Sequence, residues 1–183
     1  MEKSALKYRV IKVALISDTH GFLDEQLLSL LSDADEIWHA GDIGKVAVLD
    51  HLKKLKKKIR AVHGNIDNAT VRMEVPAQLD WELEGKKFFM THIGGYPGHY
   101  AKGIKQLLQE SKPDVFICGH SHILKVIFDK TLNLLHLNPG ACGKEGFHPV
   151  RTLLKFSVDQ GQIKDMAVVE LGVRGPESRR VGE

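Results

Sequence analysis

An α/β fold is the class this 183-residue sequence predicts. Three observations predict it. Three short apolar runs alternate with two amphipathic helical patterns, each run ends in a polar loop, and the second half of the chain turns strand-rich.

The first unit opens with Val10–Ser17, an apolar run that stops at Asp18-Thr19-His20-Gly21 and reads as a buried strand ending in a loop. Asp24 stands where an N-cap belongs, and Leu27, Leu28, Leu30 and Leu31 recur at helical spacing before Ser32. Glu36–His39 is the second strand, broken by Ala40-Gly41-Asp42 and followed by a helix through Val46, Leu49, Leu52 and Leu55. The run Lys53-Lys54-Leu55-Lys56-Lys57-Lys58 reads as the solvated, cationic end of that helix. Ile59–His63 running into Gly64-Asn65-Ile66-Asp67 is the third repeat, and such alternation predicts parallel strands joined by crossover helices.

Gln78–Thr91 predicts a hairpin that turns at Glu84-Gly85-Lys86 and ends at Thr91-His92. A helical pattern covers Tyr100–Glu110, and a short strand at Asp114–Cys118 runs into Gly119-His120-Ser121-His122. Four more strands are expected near Ile123–Phe128, Leu132–Leu137, Thr152–Val158 and Ile163–Leu171, with Asn138-Pro139-Gly140 as a connection. The expected organisation is a single domain over 1–183 whose last residues, about 173–183, fray.

Composition narrows the function. With 43% hydrophobic and 27% charged residues the chain is of ordinary globular type, and its longest apolar runs are too short to span a bilayer. A formal net charge of +3 is too small for a nucleic-acid binder, so nucleic acid is disfavoured as a partner. Cys118 and Cys142 form no framework of disulfides or zinc ligands. No secretory signal is recognisable at the N-terminus, and the expected location is the cytoplasm. A homo-oligomer stays open, with Phe22, Tyr96 and Phe147 as places for a subunit contact.

Five loops carry the residues that matter: Asp18 and His20, Asp42, Asn65, His92, then His120 and His122. All are carboxylate, carboxamide or imidazole, and each follows the C-terminal end of an expected strand, where open α/β sheets gather their ligands. Taken singly, Asp18 suits a turn, Asn65 a left-handed position beside Gly64, and His92 a satisfied core histidine. Taken together they suit metal. In extended backbone, residues two apart point the same way, so Asp18 with His20, or His120 with His122, would clamp one ion. Seven ligands exceed what one ion needs and suit two neighbouring divalent cations with Asp42, central in the series, as the bridge. Mixed oxygen and nitrogen donors favour manganese, iron, zinc, nickel or cobalt over calcium or magnesium, and of these manganese is the expected ion. Glycines 41, 64 and 119 are expected at tight corners before the ligands.

In this order and over residues 18 to 122, the motifs Asp18-Thr19-His20, Gly41-Asp42, Gly64-Asn65, His92 and Gly119-His120-Ser121-His122 resemble the calcineurin-like metallophosphoesterase superfamily. The short chain, with Gly64-Asn65-Ile66-Asp67 and Asn138-Pro139-Gly140, is similar to its small bacterial and archaeal phosphodiesterase branch. The resemblance implies two packed, mostly mixed β-sheets flanked by helices, a four-layer sandwich. It implies that Asp18, His20, Asp42 and His122 ligate one ion, and Asp42, Asn65, His92 and His120 the other. It also implies a small phosphate-ester substrate, most simply a phosphodiester, attacked by metal-bound hydroxide.

One departure stands out. Many members of the superfamily carry a histidine directly after the metal-binding Asn, and here that residue is Ile66. The histidine acid at that position is therefore missing, which leaves Asp67, His99 or a metal-bound water to protonate the leaving group, and Asp67 joins Asp42 and Asn65 among the expected catalytic residues. His39 and His63 are expected to support the ligands or the core, and His51 and His136 to be structural. Lys144, His148 and Arg151 are candidate substrate contacts. The rival functions are a phosphomonoesterase and a non-catalytic protein-binding scaffold, since a metal-poor retromer subunit shares the fold; such decay removes ligand histidines, and here the set is complete.

Overall fold

Residues 9–146 and 148–174 are described by the structure, a computed structural model. Along the chain lie β1 (Ile11–Ile16), α1 (Glu25–Ser32), β2 (Glu36–His39), α2 (Val46–Lys54), β3 (Lys58–Ala61) and α3 (Ala69–Glu74). There follow β4 (Gln78–Leu83), β5 (Lys86–Thr91), β6 (Gly95–Tyr96), β7 (His99–Tyr100), α4 (Ile104–Ser111) and β8 (Val115–Ile117). The chain closes with β9 (Leu124–Asp129), β10 (Leu134–Pro139), β11 (Val150–Asp159) and β12 (Gln162–Val173).

The three expected repeats build three of the five strands of one sheet, because β1, β2 and β3 pair in parallel through their crossover helices. The long β11–β12 hairpin then returns from the far end of the chain and lies antiparallel beside β1, giving the order β12-β11-β1-β2-β3. A second five-stranded sheet has the order β4-β5-β8-β10-β9, again mixed, and β6 with β7 form a small ribbon.

Alternation along the strands sorts the side chains into layers. Val13 and Leu15 of β1 join Trp38, Phe88, Met90, Ile117, Leu137 and Phe156 in a core between the sheets. Ala14 and Ile16 face the other way, toward Leu27 and Leu31 of α1 and Leu49 and Leu52 of α2. On the far side of the second sheet, Ile104 and Leu108 of α4 cover Phe89 and Phe116. The result is the four-layer sandwich that the resemblance implied. Trp38 anchors its middle, with Trp81 and Phe88 edge-on at 4.9 Å, contacts worth about 0.5–1.5 kcal/mol each beyond the area they bury. Among the described residues no helix is long and apolar enough to cross a membrane.

Local chemistry explains where the elements differ from expectation. The helix expected from Tyr100 starts at Ile104, because Gly103 adopts φ 82° and Tyr100 pairs in the β6–β7 ribbon. Helix α3 went unseen because it is short and buries only Val71, although Asn68 caps it by accepting from the Val71 N–H at 3.1 Å. Strand β10 lies two residues later than expected. Asp129 turns the chain by accepting from the Thr131 and Leu132 N–H groups, and Asn138 and Pro139 are paired strand residues instead of a loop. Val173 belongs to β12 and Arg174 bonds to the Pro149 carbonyl, and the rest of the tail expected to fray, residues 175–183, lies outside the described set.

Candidate metal centre

Strands β1, β2 and β3 of one sheet and β5 and β8 of the other end at the same rim, and backbone hydrogen bonds join their loops. The Asp18 and His20 N–H groups donate to the carbonyls of Gly41 and Asp42, and the Gly119 N–H donates to the His92 carbonyl. Across the two sheets, the His120 N–H donates to Asp18 Oδ2 at 3.2 Å. Residues far apart in sequence are thereby held within a few ångströms.

Six of the seven expected ligands fall into two groups whose ligand atoms lie within 4.8 Å of one another: Asp18, His20 and His122, and Asp42, His92 and His120. Within them, His122 Nε2 lies 3.1 Å from Asp18 Oδ1, and His92 Nε2 lies 3.2 Å from Asp42 Oδ2. The groups adjoin, since His20 Nε2 is 4.0 Å from Asp42 Oδ2 and His92 Nε2 is 3.9 Å from Asp18 Oδ1. Asn65 is the seventh. It is exposed, directly after Gly64 and before Ile66, whose N–H donates to Asp42 Oδ1 at 3.1 Å.

Asp18 and His20 share a group as expected, but extended backbone is not how the groups are made. Asp18, His20, Asp42, His120 and His122 all take positive φ, between 50° and 68°, and His120 and His122 part company, one to each group. Left-handed backbone at residues with a Cβ costs on the order of 1–3 kcal/mol apiece and clusters at functional sites. Of the three glycines, only Gly41 has a positive φ, of 97°. Gly64 is needed for close approach: a Cβ there would sit 2.0 Å from Asp42 Oδ1 and 2.7 Å from His92 Cδ2.

Do these groups suit cations? Asp18 Oδ1, His20 Nε2 and His92 Nε2 are buried and lack hydrogen-bond partners of proper geometry. Buried polar atoms in that condition cost about 1–3 kcal/mol each unless something coordinates them. The opposite face of the His92 ring is fixed, since Nδ1 donates to the Ala40 carbonyl at 2.7 Å and leaves Nε2 as a lone-pair donor. Burial works against charge on Asp18, yet His122 and His20 outweigh it and hold the carboxyl well below the usual range. Asp42 is lowered in the same way, burial being overcome by His92. Two ionised carboxylates and four imidazoles fit two divalent cations.

The surrounding residues brace the ligands. His39 is fully buried between the loops: the Gly41 N–H donates to its Nδ1 at 3.2 Å, Nε2 bonds Thr19 Oγ1 at 2.9 Å, and that hydroxyl donates to the Ile43 carbonyl. Asp67 has both oxygens occupied, accepting from the N–H groups of Ile43, Gly44 and Gly64. Asn138 Nδ2 donates to the Gly119 carbonyl and to Ser121 Oγ, shaping the histidine loop. The Arg174 guanidinium, unnoticed in the sequence, donates to the carbonyls of Ala141, Glu145 and His148, and Glu145 Oε2 lies 3.6 Å from His20 Nδ1.

Other candidates have structural partners. Arg151 is buried, paired with Asp24 at 2.9 Å and bonded to the Cys142 carbonyl. Lys144 is exposed and sits over the Phe22 ring. His148 bonds within its own turn, His63 lies near the Gly64 carbonyl, and His99 packs on Tyr96 in the ribbon. Cys118 and Cys142 are free, and burial pushes both thiols up to about 12. Phe147 lies outside the described residues.

Burial lowers His39 and His136 to about 4, from an ordinary 6.5. Below pH 6.5 the unfolded chain takes up protons that the folded protein refuses at these two sites, so stability is complete above that pH and is lost as pH falls toward 4. The raised His20 and His92 act in the opposite sense, but only above pH 6.5. Denaturant unfolding of chelator-treated protein is expected to lose about 2 kcal/mol per buried histidine between pH 6.5 and 4.5. His136→Gln is expected to make that slope shallower.

The sequence model of the calcineurin-like phosphoesterase superfamily domain matches residues 11–161, and the chain belongs to that superfamily. A probable metallophosphoesterase of Methanocaldococcus jannaschii is 31% identical over 153 residues, 80% of this chain and 76% of that relative. A structure described as a novel archaeal phosphodiesterase superposes with a TM-score of 0.71 at 23% identity, over 88% of this chain and 100% of that one. Vps29 of Chaetomium thermophilum superposes with a TM-score of 0.70 at 14% identity, over 90% and 100%. At these identities the two structures show a shared fold, and the family membership makes the class that of metal-dependent phosphoesterases.

Proposed function

We propose that this chain is a dinuclear phosphodiesterase. The observation that carries the reading is the pair of adjoining three-residue groups with buried, unpartnered ligand atoms at one rim of the sandwich. Asp18, His20 and His122 would hold one divalent ion and His92 and His120 the other, with Asp42 between them and Asn65 completing the second set. When bound, the ions polarise phosphoryl oxygens, offset transition-state charge and acidify the attacking water. Manganese is the ion we propose, and the mixed oxygen and nitrogen donor set suits nickel, iron, zinc or cobalt as well.

The chain's own part is positioning. The Ala40 carbonyl orients His92, Asp67 pins the loops of Asp42 and Asn65 together, and Arg174 braces the segment beside His20. Asp67 is a positioning residue and not the proton donor, because both carboxylate oxygens already accept backbone N–H groups. Ile66 cannot donate a proton either, so substrates whose leaving group departs readily are favoured, and among these a small diester is the substrate we propose. The archaeal neighbour's description as a phosphodiesterase supports the choice. Two free buried thiols suit a cytoplasmic, reducing setting.

Purified protein stripped by chelator is expected to be inert toward chromogenic mono- and diesters. It should regain activity with manganese, nickel or cobalt as elemental analysis reaches two ions per chain, the diester being turned over faster. A protein that binds metal yet hydrolyses neither ester under any ion would be a scaffold, and the proposal would be wrong.

A further inference from the structure

Three of the four outer edges of the two five-stranded sheets carry charge. Strand β3 presents Lys58 and Arg60, the exposed side chains of β4 are Gln78, Asp80 and Glu82, and β12 shows Lys164, Asp165 and Glu170 across from shifts in its register with β11. Charges and irregularities of this kind keep an edge strand from pairing with another chain. The fourth edge, β9, has neither at its middle. There Val126, Ile127 and Phe128 follow one another with 44%, 43% and 54% of their surface open, and the strand pairs with β10 in unbroken register. Among the described residues no strand covers its outer side.

The free backbone groups of β9 can be assigned from its neighbour. The Leu135 N–H donates to the Asp114 carbonyl and the Leu137 carbonyl accepts from Cys118, so these residues of β10 turn toward β8, and His136 between them turns toward β9. His136 is opposite Ile127, so Ile127 bonds inward, while the N–H and C=O groups of Val126 and Phe128 point out of the sheet. The segment Lys125-Val126-Ile127-Phe128-Asp129 reads cation, three apolar residues, anion, which is its own complement when reversed.

We propose that β9 joins two copies of this chain, antiparallel about a twofold axis at Ile127, so that the second sheet continues from one copy into the other. Val126 then exchanges both backbone hydrogen bonds with Phe128 of the second copy, Ile127 meets its own counterpart, and Lys125 faces Asp129 of the second copy. Apolar opposes apolar and cation opposes anion. Moving the axis one residue either way would set Ile127 against Lys125 or Asp129, so charge complementarity selects this register. Each copy uses its one open edge, and association stops at two. Because β9 starts two residues after His122 and its mate runs the opposite way, the two candidate metal centres open at opposite ends of the joined sheet.

Sedimentation velocity of the full chain over about 1–100 µM is expected to approach twice the 20.4 kDa of one chain, with or without chelator. Ile127→Lys places two cations on the axis and is expected to weaken association at least about tenfold, with the melting temperature recorded to establish that it folds. Val168→Lys, on the β12 edge and 47% exposed in the wild type, is expected to leave the dimer intact. The register has its own readout. At the axis the two copies of residue 127 would be about 4.5–5.5 Å apart between Cα atoms, within the span of a disulfide, and the natural Cys118 and Cys142 are buried. Mild oxidation is expected to turn Ile127→Cys into a reducible covalent dimer and to leave Val168→Cys uncoupled. A wild type that stays single throughout, a dimer that survives Ile127→Lys, or cross-linking of Val168→Cys as readily as Ile127→Cys overturns the proposal.

Discussion

Replacing Asp42 with Asn is expected to reduce turnover by about a thousandfold, the equivalent of several kcal/mol of lost charge stabilisation, and to lower bound metal below two ions per chain. The substitution removes one negative charge from the place where the two ligand groups meet. Asp42 Oδ2 is 3.2 Å from His92 Nε2 in its own group and 4.0 Å from His20 Nε2 in the other. An asparagine carbonyl can still accept the Ile66 N–H that Asp42 Oδ1 accepts now, so the loop has a reason to keep its shape. Elemental analysis and turnover measured on the same preparation separate the cases. Full metal content with full activity would remove Asp42 from the centre, and loss of both with an unchanged melting temperature is the expected result.

Asp67→Ala is expected to be among the most destabilising single changes in the protein. Three backbone N–H groups, of Ile43, Gly44 and Gly64, would lose their acceptor. Each orphaned buried donor costs about 1–3 kcal/mol, so the sum is on the order of 4 kcal/mol after relaxation. Asp67→Asn keeps one acceptor oxygen and is expected to fall roughly midway. The pair of variants also separates positioning from proton donation. A positioning residue, once lost, weakens metal binding and slows aryl and alkyl esters alike, because the loops of Asp42 and Asn65 drift apart. A proton donor, once lost, spares metal binding and penalises only the alkyl esters, whose alkoxide departs reluctantly. The second pattern would restore Asp67 to the chemistry.

Legibility in the sequence followed the range of the forces involved. The β1–α1–β2–α2–β3 repeats showed in the apolar runs because burial imposes its period locally, and Asp24 was recognisable as a cap that accepts the Leu27 N–H at 2.9 Å. Helix α3 and the β6–β7 ribbon escaped because each is too short to display a period. The return of β11 to the side of β1 was invisible to periodicity, since strands so distant in sequence carry no local mark of their partner. In the site, the residue types pointed to metal, whereas the reason offered for their pairing was mistaken: the backbone there is left-handed, and His120 and His122 serve different groups. Nothing in an Asp or His betrays a positive φ until the contacts that enforce it are known.

What the sequence by itself determined was the chemistry of the donors, their order along the chain and the strand ends that carry them, because side-chain identity and hydrophobic period are written residue by residue. Tertiary structure alone decided which donors share a group and that Asp67 braces the loops with both oxygens engaged. Those outcomes depend on where two separate sheets bring their rims together, and only the packing of the core between the sheets sets that distance.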